Sequence, residues 1–131
     1  MAIKSKLLKK AGGSPDPLIK TKLKGKNMLY KLDFTVEYDE TMAQQGLLGI
    51  WAEEANAALG AKSAGVVVDL WKVVGERKVL AILEVETPDD LDRILFDLPI
   101  MQKMGHLVQV EVKSLRRYED FAEDVKERLG R

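Results

Sequence analysis

The sequence predicts an α+β fold, one small sheet with helices packed against one of its faces. Three observations carry this. Apolar and polar residues alternate with period two over Met28–Tyr38 and again over Leu107–Ser114, as in half-buried strands. Two valine-rich runs, Gly65–Val74 and Val79–Glu86, flank the short polar turn Gly75-Glu76-Arg77-Lys78 and read as a hairpin. Apolar residues at helical spacing fill about Thr41–Ala61, the stretch after Thr87, and residues 118–129.

The elements follow in order. Strand one sets Met28, Tyr30, Leu32, Phe34, Val36 and Tyr38 on one face and Leu29, Lys31, Asp33, Thr35 and Glu37 on the other. In the first helix Leu47, Ile50, Trp51, Glu54, Ala55, Ala58 and Leu59 share helical spacing, alanine favours the helix, and Gly60 is the expected stop. The second helix opens at Thr87-Pro88-Asp89-Asp90: threonine suits the N-cap, proline the first position, and the aspartates the positive end of the dipole. Leu91, Ile94, Leu95 and Leu98 form its apolar stripe, and Pro99 is expected to end it. Tyr118, Phe121, Ala122, Val125 and Leu129 line one face of a last helix, expected to dock on the sheet or on a neighbouring subunit. The order β-α-β-β-α-β plus a C-terminal helix is the ferredoxin-like pattern, in which both helices cover one sheet face.

Composition narrows the function classes. The 131 residues make one domain, and 46% hydrophobic with 32% charged residues is ordinary for a globular chain. No cysteine is present, which removes disulfides, thiolate metal sites and cysteine nucleophiles together. A single histidine without cysteines gives no zinc set, and there is neither a P-loop nor a Gly-x-Ser-x-Gly elbow. No apolar run approaches the ~20 residues of a membrane span, and the start lacks a signal-peptide stretch, so a cytoplasmic protein is expected. The zero net charge is made of two halves. Residues 1–26 hold eight lysines against Asp16, a net +7, which leaves −7 on the remainder. Residues 1–27, with Gly12, Gly13, Pro15 and Pro17, are expected to form a flexible basic extension on an acidic domain at 28–131. The extension has no arginine or aromatic to read or stack on bases, so neither nucleic acid nor membrane is an expected partner.

The face away from the helices must be covered, usually by a second copy. Parity assigns it Lys31, Asp33, Thr35 and Glu37, then Leu80, Ile82 and Glu84, then Leu107, Gln109 and Glu111. The second strand adds Val67, Asp69, Trp71 and Val73, or the opposite set if a bulge shifts the register. Two such sheets face to face are expected to enclose a pocket. A carboxylate in a partly apolar pocket has its pKa raised toward neutrality, which suits a proton shuttle. Glu111, Glu84 and Asp33 are the candidate bases, with Glu37 behind them. Lys31 and Arg77 are candidate holders of a substrate carboxylate, Trp71 a candidate pocket wall, and His106 a candidate proton relay or substrate contact. Each has a plainer reading: interfacial ion pairs such as Lys31 with Glu84 or Glu111, dimer packing for Trp71, and a surface loop for His106.

Three stretches carry a family resemblance. They are Met28-Leu29-Tyr30-Lys31 with Leu32–Val36, then Leu70-Trp71-Lys72-Val73-Val74-Gly75, then Leu98-Pro99 followed by the strand ending Val110-Glu111-Val112. Over about residues 28–115 the chain resembles the muconolactone isomerase family. That resemblance implies a dimeric α+β barrel, often assembled as a larger ring of dimers. It also implies a cofactor-free 1,3-proton shift on a small enol-lactone in aromatic catabolism. The chain departs from the family in having Lys31 where histidine is favoured, Arg77 where an aromatic is favoured, and a longer segment from Ile100 to His106. The expected protein is therefore a homo-oligomeric isomerase acting on a small molecule. The alternatives on the same architecture are a small-ligand-binding barrel and a cofactor-free or haem-using monooxygenase-type barrel.

Overall fold

The alternation in residues 28–36 builds the strand around which the sheet is organised. The computed structural model describes residues 27–130, so the expected basic extension lies outside the described residues except for Asn27. β1 (Met28–Val36) runs between β3 (Lys78–Val85) and β4 (Val108–Leu115), and β2 (Val67–Lys72) is the edge beyond β3. The order is β2-β3-β1-β4 and every neighbouring pair is antiparallel. α1 (Gln44–Ser63) joins β1 to β2. α2 (Pro88–Asp97) and the short α3 (Pro99–Met104) lead from β3, through a 3-10 turn at Gly105–Leu107, to β4. α4 (Tyr118–Leu129) closes the described chain. The predicted ferredoxin-like order is present, with two details that the patterns did not give.

The first is the end of α1. The helix runs through Gly60 and stops at Gly65, whose φ is +86°. There the Val66 N–H donates to Ala61 O and the Gly65 N–H to Lys62 O, each at 3.1 Å, which is the Schellman pairing. Val66 and Ala61 meet in the core, so this glycine sets where β2 begins. Gly65→Ala is expected to cost about 1–2 kcal/mol, because an alanine resists the left-handed conformation; a urea titration would measure it. The second detail is Pro99. It ends α2 as predicted, and it also occupies the first turn of α3, where its fixed φ and missing N–H fit equally well. The N-cap of α2 forms as expected, with Thr87 Oγ1 accepting from the Asp90 N–H at 3.1 Å.

A bulge resolves the parity of β2. Val67 pairs with Leu83 and Asp69 with Ile82, so Val68 is an extra residue. Val67 consequently points to the helices, while Asp69 and Trp71 turn to the open face with Ile82 and Leu80. The helix-covered face buries Leu32, Val36, Ala81, Leu83 and Val85 against Ala57, Ala61, Leu91, Ile100 and Met104. α4 contributes no buried residue: Phe121 is 44% and Val125 45% exposed, so within one chain its stripe does not dock. Among the described residues no helix is long and apolar enough to cross a membrane.

Candidate active site

Between the sheet and the helix layer lies a cavity of about 400 Å³. Its floor is Leu32, Phe34, Ala81 and Leu83, and its roof is α1 with Ile94, Leu95 and Leu98. The roof is high because α1 presents Ala55, Ala57, Ala58 and Ala61 there, side chains that end at Cβ. Larger residues at those positions would fill the space at normal packing density.

Glu54 is the carboxyl in this lining. It stands on the same helical face as Trp51, Ala55 and Ala58, so helix geometry turns it toward the sheet. The Ile100 N–H donates to its Oε1 at 3.0 Å. That amide belongs to the first turn of α3, whose N-cap residue Leu98 has no side-chain oxygen to offer. Glu54 therefore satisfies an orphan helix amide and ties α1 to α3. Next to it Lys103 Nζ bridges both Glu53 oxygens, at 2.7 and 2.6 Å, so that lysine neutralises Glu53 on the outside of the helix. Burial raises the Glu54 pKa from its ordinary 4.5 to about 7, with the Ile100 hydrogen bond pulling the other way. A carboxyl poised there both takes and returns a proton near neutral pH.

Trp71 aside, the residues nominated from sequence lie away from this cavity, and Lys31, Asp33 and Glu111 are neighbours on the open face. Lys31 and Asp33 pair with each other at 3.5 Å on the open face. Glu111 sits opposite Asp33 and pairs with Lys113 at 3.1 Å. Glu84 accepts from Arg117 Nη2 at 3.2 Å and from Asn27 Nδ2 at 3.4 Å, joining β3 to the start of α4 and to the entry of β1. Both side chains of the Glu84–Arg117 pair are largely shielded. Glu84→Gln is therefore expected to cost about 1.5–3 kcal/mol, the range for hydrogen bonds to charged groups. Turnover should survive, as thermal denaturation beside an activity assay would show. Arg77 stacks over the Tyr38 ring at 4.5 Å while its Nε donates to Val36 O at 3.3 Å. Glu37 and His106 are exposed, the latter in the 3-10 turn. Trp71 alone of the nominated set borders the cavity, from the edge strand. Lys72 also borders it, with Nζ donating to Val73 O at 2.9 Å. Among the described residues no three His, Asp or Glu side chains gather as a metal cluster.

A family model described as muconolactone delta-isomerase matches residues 28–120, which takes in the whole sheet, the helices over it and the cavity. The chain belongs to the muconolactone delta-isomerase family. A curated relative, Muconolactone Delta-isomerase 2 of Acinetobacter lwoffii, is 26% identical over 97 residues, covering 74% of this chain and 97% of the relative. The crystal structure of a muconolactone isomerase superposes with a TM-score of 0.59 at 23% identity, covering 69% of this chain and 90% of the other. At that identity the superposition speaks for the shared fold. The match to the family ends within the first turn of α4, so most of that helix stands outside the shared unit.

Proposed function

We propose that this chain is an isomerase that moves a proton within a small unsaturated lactone, in the breakdown of aromatic compounds, with Glu54 as its acid–base group. The observation that carries the reading is a half-buried carboxyl in the wall of an apolar cavity, its pKa raised to about 7 by desolvation and its Oε1 held by the Ile100 N–H. In an α,β-unsaturated lactone the γ-proton is acidified through the double bond by the ring carbonyl. Glu54 carboxylate takes that proton and leaves a dienolate. The protonated Glu54 returns it at the α-carbon, and the double bond moves to the β,γ position. One group serves both steps, the proton count closes, and no cofactor is required. Low polarity around Glu54 raises its basicity and excludes the water that would quench the dienolate.

Membership of the family and the position of Glu54 support the reading. The test is an ultraviolet assay of the purified chain with muconolactone beside Glu54→Gln, Glu111→Gln and Lys31→Ala. Loss in Glu54→Gln with retention in the other two is the expected pattern. A folded wild type inert toward muconolactone and toward simple alkyl butenolides would refute it.

The open face supports self-association. Leu29, Leu80, Ile82 and Trp71 lie there with no described element over them. In register, Lys31 faces Lys113 and Asp33 faces Glu111, two positive charges beside two negative ones. A second copy rotated by a two-fold axis sets each pair against its opposite. Ile82→Lys is expected to lower the molecular mass seen by light scattering to that of a single chain.

A further inference from the structure

We infer that the ligand of this cavity carries a large uncharged apolar substituent, a medium-length alkyl chain or an aryl ring, in place of the short carboxylate arm of muconolactone. The isomerase reading supplies only the head group, the lactone ring set against Glu54; the substituent is argued from the cavity itself.

Size is the first argument. About 400 Å³ falls within the range of sites, roughly 300–1,000 Å³, that enclose drug-sized ligands. A lactone ring with an acetate arm leaves much of such a space empty. Apolar walls do not hold water well, because a buried water needs two to four polar partners. Chemistry is the second argument. Apart from Glu54 and Lys72, no charged side chain lines the cavity. Lys72 is exposed, on the edge strand, with its ammonium on Val73 O. The other cations suited to a carboxylate are engaged away from it, Lys31 with Asp33 on the opposite sheet face and Arg77 with Tyr38 and Val36 O. A ligand carboxylate deep inside would meet a desolvated wall and the like charge of Glu54, and the one cation of the lining, Lys72, stands at the exposed edge with its ammonium on Val73 O. The third argument is the origin of the space. The roof of alanines at 55, 57, 58 and 61 and Ala81 beneath it create room that is apolar throughout. Such room fits a hydrocarbon body and gives a polar arm nothing to bond.

The test separates the substituent from the reaction. Saturated γ-lactones cannot undergo the proton shift, so their binding reports on the cavity alone. Calorimetric titration of the full chain with γ-valerolactone, γ-octalactone and γ-dodecalactone is expected to show about three- to fourfold tighter binding per added methylene until the cavity is full. γ-Octalactone should also bind more tightly than muconolactone measured with Glu54→Gln. Ala58→Phe, checked for its fold by circular dichroism, should abolish the gain with chain length. In parallel, kcat/KM for 5-alkyl butenolides should rise along the same series. Affinity that does not change with chain length, or tighter binding of muconolactone than of γ-octalactone, overturns the inference even if muconolactone is turned over. A chain-length gain in binding with no turnover of any butenolide upholds the inference and sinks the isomerase reading instead.

Discussion

Glu54→Gln is expected to lower turnover by about 10²–10⁴, the usual worth of a positioned acid–base group, while raising the stability of the protein at neutral pH. Glutamine keeps the shape, and its carbonyl oxygen still accepts from the Ile100 N–H that holds Glu54 at 3.0 Å. It has no proton to exchange. In the wild type kcat/KM should rise with pH through about 7 and level off above it, because the carboxylate is the base. The stability effect follows from the same titration. Burial raises the folded-state pKa from 4.5 to about 7, so between those values the native chain holds a proton that the unfolded chain has lost. The contribution is fully present below about 4.5 and is lost as pH rises through about 7. Above that, the ionised Glu54 penalises the fold by on the order of 3 kcal/mol, the free-energy equivalent of the pKa change. Glutamine carries no such dependence, so the melting temperatures of the two proteins should be close at pH 5 and diverge by pH 8, with the variant higher. Coincident melting curves at pH 8 would show that Glu54 is not strained by its surroundings.

This split between function and stability also shows what the sequence made legible. Strands and helices were readable because they are local patterns. The alternation from Met28 to Val36, the Thr87-Pro88 start and the stripe of the last helix each sit within a dozen residues. The two details that the patterns did not give have one cause: a glycine or proline can play two parts, and tertiary contacts choose between them. Gly60 was a plausible stop, but the Ala61–Val66 contact selects Gly65. Pro99 was a plausible end, and the packing of Ile100 and Met104 makes it a start as well.

The cavity was hidden for a different reason. Patterns report the side chains that fill a core, whereas this cavity exists because α1 offers alanines where a core would take leucine. Those alanines read simply as good helix formers. The one usable signal was Glu54 itself, a carboxyl on the apolar stripe of Trp51, Ala55 and Ala58, where an acid has no reason to be unless it is held. Parity instead drew attention to the open face, where Lys31, Asp33 and Glu111 offered charges in plain alternation. The partner of Glu84 was equally out of reach, because Arg117 lies 33 residues away and only the fold brings them together.

Leu32→Ala is expected to be the most destabilising single truncation, by about 3–5 kcal/mol, in the upper part of the range for buried leucines. Leu32 has no exposed surface and sits at the middle of the central strand. Its neighbours across the ladder are Ala81 in β3 and Val112 in β4. The loss is large because the site cannot collapse. Ala81 offers only a methyl group, too short to lean into the gap, the strand is held on both sides by hydrogen bonds, and the space above is already the ligand cavity. The new void therefore merges with the old one. For a domain of this size each kcal/mol moves the melting temperature by about 4 °C, so a fall of about 12–20 °C is expected. Leu48→Ala, in the same protein, removes the same atoms from a half-exposed position on α1 and should move it far less. A ligand of the cavity should raise the stability of Leu48→Ala by the same amount as that of the wild type, and that of Leu32→Ala by more, because only there does it also fill the new void. Denaturation with and without γ-dodecalactone measures whether the empty space or the lost side chain sets the stability of the fold.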